Sequence, residues 1–168
     1  MSCASEYYDI FWGHLSPLER EGFLEKIYGV DVVFHADFTN LEEKDFVIGK
    51  VSAYLLWADR FSKRYGKPTC EQKETVLHIY YVPREIINDR DIMHFLSWSK
   101  WNNKNIYGAF DSTYSPKGTA TIFLSSTHSR KDVDETIKHE IYHYWQYRIC
   151  QVLEETSAYQ FETYHVVK

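Results

Sequence analysis

The sequence predicts one α+β domain with a mostly antiparallel sheet, and three observations carry that expectation. The elements run as helices and a strand, a further helix, a hairpin and then two helices. The hairpin pattern lies directly before the last helical stretch. The chain's 168 residues and 44% hydrophobic content suffice for one real core, and no linker, repeat or low-complexity stretch divides them. Residues 1–168 are therefore read as a single domain.

Ser16-Pro17-Leu18-Glu19 is a capping box with Pro at the first helical position, and Gly29 is a good stop, which predicts a helix over residues 17–28. Val30 to His35 is a short strand candidate. Asn40 can cap a long helix from Leu41 to Tyr65, ended by Gly66-Lys67-Pro68, with Val47, Val51, Leu55, Trp57 and Phe61 as apolar positions. Thr75 to Val82 reads as a strand closed by Pro83, and Ile86 to Trp101 carries another helical pattern. Lys104 to Ser126 reads as a hairpin: Asn105 to Phe110, a Ser115-Pro116-Lys117-Gly118 turn, then the β-forming run Thr119 to Leu124. Asp132, followed by Glu135, has capping-box spacing and is the expected N-cap of the next helix. Val133, Ile137, Ile141, Trp145 and Ile149 step by four along that helix and form a core-facing stripe.

The same helix carries His139-Glu140-Ile141-Tyr142-His143, whose two histidines point roughly away from that stripe. Positions four apart share a helix face, so His139 and His143 can grip one Zn²⁺. Glu140 sits at the flank of that face, where a carboxylate reaches a water on the metal more easily than the metal itself. Two imidazoles to hold the ion and a nearby general base to take a proton are the parts of a zinc-peptidase mechanism. Cys150 lies two turns beyond, roughly 10 Å along the axis, and is read as a small packed residue.

Catalytic zinc normally takes three protein ligands and keeps one position open. Here the sequence resembles the zincin metallopeptidases, and within them the gluzincin pattern, in which a glutamate on the next helix completes the HExxH pair. The resemblance is specific over roughly residues 119–160. In that pattern the ligand glutamate is often followed, three residues on, by a small residue. Glu155 with Ala158 fits, and Glu154 with Ser157 fits almost as well; Glu155 is preferred. On an unbroken helix Glu155 would lie about 18 Å from His143, so the helix must break between Ile149 and Val152, although no Gly or Pro marks the place. Glu162 is a further candidate, and His165 another, by the pattern of SprT-like proteases. The resemblance also implies that Thr119 to Leu124 forms the cleft rim that pairs with an extended substrate. It implies an oxyanion-stabilising residue too, for which Tyr107, Tyr114, Tyr159 and Tyr164 stand near enough in sequence.

The remaining composition narrows the setting. Aromatic residues make up 17% of the chain, enough to fill a core and line a groove. No apolar run approaches a membrane span, and Met1 to Ile10 lacks the features of a signal peptide. Cys3, Cys70 and Cys150 are odd in number and scattered, which reads as reduced thiols of an intracellular, cytoplasmic protein. The net charge of −5, with Lys63-Arg64 and Arg130-Lys131 only as isolated basic pairs, argues against a nucleic-acid partner. His14, His35, His78, His94 and His128 show no ligand spacing. The expectation is a zinc metallopeptidase acting on peptide or protein substrates, with His139, His143 and Glu155 as ligands and Glu140 as base. Two rivals stand beside it: an inactive zincin-fold binding module, and a zinc hydrolase of a small non-peptide amide.

Overall fold

Among the described residues five strands form one sheet in the order β1-β2-β3-β5-β4, with three helices beside it. The computed structural model describes residues 22–27, 29–36, 38–65, 75–82, 107–112, 118–150 and 155–164. The strands are β1 (Gly22–Ile27), β2 (Val30–Ala36), β3 (Val76–Val82), β4 (Gly108–Asp111) and β5 (Thr119–Ser125). The helices are α1 (Leu41–Tyr65), α2 (Arg130–Arg148) and α3 (Glu155–Glu162). The helix expected over 86–101 and the turn at 115–117 lie outside the described residues, as do residues 17–21.

Two expectations are corrected. Residues 22–27 are a strand, not the end of a helix. Ile27 pairs with Val30 across a connection in which Gly29 has φ +77, so the glycine read as a helix stop is a hairpin turn residue. The sheet is mixed rather than mostly antiparallel: β1–β2 and β4–β5 are antiparallel, but β2–β3 and β3–β5 are parallel. A parallel partner requires a crossover, and α1 supplies it between β2 and β3.

The α1 helix keeps its expected bounds because both ends of its first turn are capped. Asn40 Oδ1 accepts from the Glu43 amide, and the Glu43 carboxylate accepts from the Thr39 amide, both at 2.8 Å. The α2 helix starts two residues before the expected Asp132 cap. Ser129 is its N-cap and accepts from the Asp132 amide at 3.2 Å, so Asp132 serves instead as first-turn charge on the helix dipole.

Alternation decides which face of the sheet meets the helices. Val32, Phe34, Leu77, Ile79, Ala120, Ile122 and Leu124 point to one side and join a core with Val47, Val51, Leu55 and Ala58 of α1 and Ile137 and Ile141 of α2. Each such Val, Leu, Ile or Phe side chain, fully buried, contributes about 1.5–3 kcal/mol. Trp145 Nε1 donates to Ser62 Oγ at 2.8 Å and ties α2 to α1. Ala158 and Phe161 bring α3 onto the same core. The other face carries His35, Tyr80 and Phe123 side by side across three strands, with ring centroids 4.3 and 5.4 Å apart, and it too is buried. Among the described residues no helix is long and apolar enough to cross a membrane.

Candidate metal centre

The α2 helix ends at Arg148 without glycine or proline. Ile149 closes onto Trp145 O, and Cys150 takes the left-handed conformation, φ +60, with its amide on Tyr147 O. A left-handed residue just past a helix is the usual geometric stop; a side chain there costs about 1–2 kcal/mol that glycine would not. Cys150 is also disulfide-bonded, which corrects its reading as a reduced, merely packed thiol. After the reversal, α3 begins at Glu155 and packs back along α2.

That reversal brings Glu155 to the histidines. The Nε2 atoms of His139 and His143 lie 3.1 Å apart. One Glu155 oxygen is 2.9 Å from His139 Nε2, and the other is 3.1 Å from His143 Nε2. The two imidazoles are nearly perpendicular, at 82°. Four ligand atoms around a tetrahedral zinc at about 2.1 Å sit about 3.4 Å apart. Outward movement by a few tenths of an ångström therefore seats an ion among these donors. Two imidazole nitrogens and a carboxylate are a donor set zinc accepts.

The far side of each ring explains why both Nε2 atoms point inward. His139 Nδ1 is 2.7 Å from a Glu162 carboxylate oxygen, and His143 Nδ1 is 3.0 Å from Gln146 Oε1. Donation from His139 Nδ1 to the Glu162 carboxylate, and from His143 Nδ1 to Gln146 Oε1, is the tautomer that turns both Nε2 lone pairs inward. In that tautomer two lone pairs and a carboxylate converge on one point, a group that could hold a metal ion. Burial, and after it the neighbouring His139, holds His143 below the usual histidine range.

Glu140 stands beside this cluster, not in it. It is buried, and loss of water around its carboxyl is the main cause that pushes it up to about 7; Glu155 and Glu162 add to the rise and His139 opposes it. Its near neighbour is a backbone: a Cβ on Gly108 would lie 3.4 Å from Glu140 Cγ. Strand β4 thus runs against α2 at Glu140. Glu155 is the exposed member, with 59% of its side chain accessible against 13% and 8% for the histidines, so the cluster opens to solvent on the α3 side.

The rim strand is corrected. Thr119 to Leu124 lies in β5, which pairs with β3 along its length and with β4 over Thr121–Leu124, so that stretch is interior to the described sheet and not its rim. The strand beside the cluster at the end of the described sheet is β4. Of the tyrosines considered, Tyr159 packs its ring 5.0 Å from that of His139 and is exposed. Tyr107 lies on His128 at 4.0 Å, and Tyr164 belongs to an aromatic cluster with Phe61 and Phe161. Tyr114, Glu154 and His165 lie outside the described residues. Glu162 and Gln146 were not recognised as histidine partners from sequence. Glu162 had a signal, because it stands seven residues after Glu155 and therefore on the same face of α3. No protein-family model, curated protein or solved structure matches this chain.

Proposed function

We propose that the chain is a gluzincin-like zinc metallopeptidase, with His139, His143 and Glu155 as the zinc ligands and Glu140 as the general base. The observation that carries this reading is the convergence of two imidazole Nε2 atoms and the Glu155 carboxylate at 2.9–3.1 Å, each imidazole held in the matching tautomer from behind. Zinc bound there supplies Lewis acidity toward a water and toward a carbonyl oxygen.

The residues of the chain do the rest. Glu140 takes a proton from the water as its oxygen attacks the scissile carbonyl carbon. It then gives that proton to the amide nitrogen as the C–N bond breaks, so an amine and a carboxylic acid leave. A carboxyl pushed up to about 7 by burial suits both transfers near neutral pH, because neither direction is strongly uphill. Glu162 and Gln146 keep the ligand rings from turning, and their loss lowers metal affinity rather than removing the chemistry. The exposed Glu155 side of the cluster favours a substrate that approaches from outside, as a peptide or protein segment does.

The test is Glu140→Gln, assayed on a mixture of fluorogenic peptides with the zinc content measured in parallel. The variant is expected to keep its zinc and lose hydrolysis by at least about 100-fold. Loss of zinc as complete as in His139→Ala would make Glu140 a ligand and overturn the assignment of base. Unchanged hydrolysis would overturn it as well.

A further inference from the structure

Beside His139 on α2 the chain buries an ammonium group. Lys138 is 5% exposed. Its Nζ donates to the main-chain oxygens of Glu162 and Tyr164, at 2.8 and 2.6 Å. The same nitrogen lies 5.0 Å from the ring centre of Trp57 and 5.6 Å from those of Tyr54 and Phe161. Two of these rings come from α1 and the third from α3, so one side chain touches both helices that pack on α2.

Lysine is rarely this buried, since its charge must be matched. The match here is chemical and directional. The last carbonyls of a helix have no partner within it and carry the negative end of the helix dipole. The ring faces add cation–π attraction in a setting with little water. The clamp therefore holds the C-terminal end of α3, and one of the two carbonyls it holds belongs to Glu162. The carboxylate of that residue accepts from His139 Nδ1. Lys138 fixes the main chain of Glu162, and Glu162 fixes the imidazole next to Lys138.

We propose that Lys138 is a positioning residue of the metal centre: through its aromatic cage and the carbonyls of Glu162 and Tyr164 it sets Glu162, and through Glu162 the direction of the His139 ring. This rests on the zinc reading above. A lysine that merely stabilised the core would change the melting temperature without any specific coupling to Glu162.

The test is a double-mutant cycle on the full chain, with Zn²⁺ as probe and its Kd read by competition with a chromophoric chelator. Lys138→Met and Glu162→Ala are each expected to weaken zinc by about 10- to 100-fold. The double variant is expected to lie within about threefold of Glu162→Ala, because a clamp that acts through Glu162 has nothing left to position. Where Lys138→Met does not fold, the same cycle is run with Lys138→Arg, which keeps the charge but overfills the cage. Wild-type zinc affinity in the lysine variant or in Glu162→Ala overturns the proposal, as do losses that multiply in the double variant. A wild-type chain that binds no zinc removes it together with the zinc reading, whereas a failed cycle on a zinc-binding wild type removes this proposal and leaves the zinc reading standing.

Discussion

Gly108 joins the sheet to the chemistry, and Gly108→Ala is the perturbation that exposes this. A Cβ there would sit 2.5 Å from Thr136 Cγ2, 2.8 Å from the carbonyl oxygen of Phe123 and 3.4 Å from Glu140 Cγ. Carbon atoms pack at about 3.5–4.0 Å, so the first contact demands a shift of about 1 Å. Neither of the first two neighbours yields easily. Phe123 O is backbone in β5, and Thr136 is held on α2 by its Oγ1 bond to Asp132 O at 2.7 Å. Overpacking of this kind costs about 1–3 kcal/mol. In a chain of this size, about 2 kcal/mol lowers the melting temperature by roughly 4–8 °C. Because α2 and β4 must separate, Glu140 moves with them, and a displacement near 1 Å lowers turnover by about 100-fold. The assay is thermal unfolding followed by circular dichroism, with peptide hydrolysis measured on the same samples. Gly49→Ala is the control: no atom lies within 4 Å of its Cβ, and it sits inside α1, so it should raise stability by about 0.5–1 kcal/mol. Adding Thr136→Ser to Gly108→Ala removes the closest clash and should return part of the loss. A Gly108→Ala protein that melts with the wild type would refute the close approach of β4 to α2.

Two other outcomes follow from the same geometry. Glu155→Ala should weaken zinc markedly, whereas Glu154→Ala should be nearly silent; equal losses in a chelator competition would count against Glu155 as the third ligand. In the metal-free protein, burial, together with the neighbouring His78, holds His35 down to about 4, so between its ordinary value of 6.5 and about 4 the unfolded chain takes a proton that the folded one refuses. Stability from His35 is therefore complete above pH 6.5 and declines as pH falls toward 4, and His35→Asn should flatten that decline in urea titrations. Glu140 has the opposite sign, since its raised carboxyl binds a proton in the folded state between 4.5 and about 7. Comparing His35→Asn with the wild type reports the share of the His35–His78 pair, since His78 is hydrogen-bonded to His35 and is itself held down by burial.

Local signals made part of this fold readable. Asn40 caps α1 as expected, and the β-forming runs before Pro83 and after Gly118 are strands. Gly29 misled because a helix stop and a hairpin turn ask the same thing of it, a positive φ. Parallel pairing of β2, β3 and β5 was hidden because the partners are far apart in sequence and no local residue encodes them. The interior position of β5 did have a trace: Ile122-Phe123-Leu124 is an unbroken apolar run, the mark of a strand buried on both faces rather than one at a rim. At the candidate site, the histidine pair follows from helix periodicity alone. The stop after Arg148 does not, because Cys150 takes a backbone conformation that its residue type does not announce. Lys138 was equally hidden, since nothing local distinguishes a lysine caged by three rings from one in solvent.

The most direct measurement of the central reading is metal content across four proteins purified without chelator: wild type, His143→Ala, Glu155→Ala and Glu140→Gln. Elemental analysis should find about one Zn²⁺ per chain in the wild type and in Glu140→Gln, little in Glu155→Ala and none in His143→Ala. A wild-type chain that carries no zinc, and gains none when titrated near neutral pH, contradicts the reading at its base.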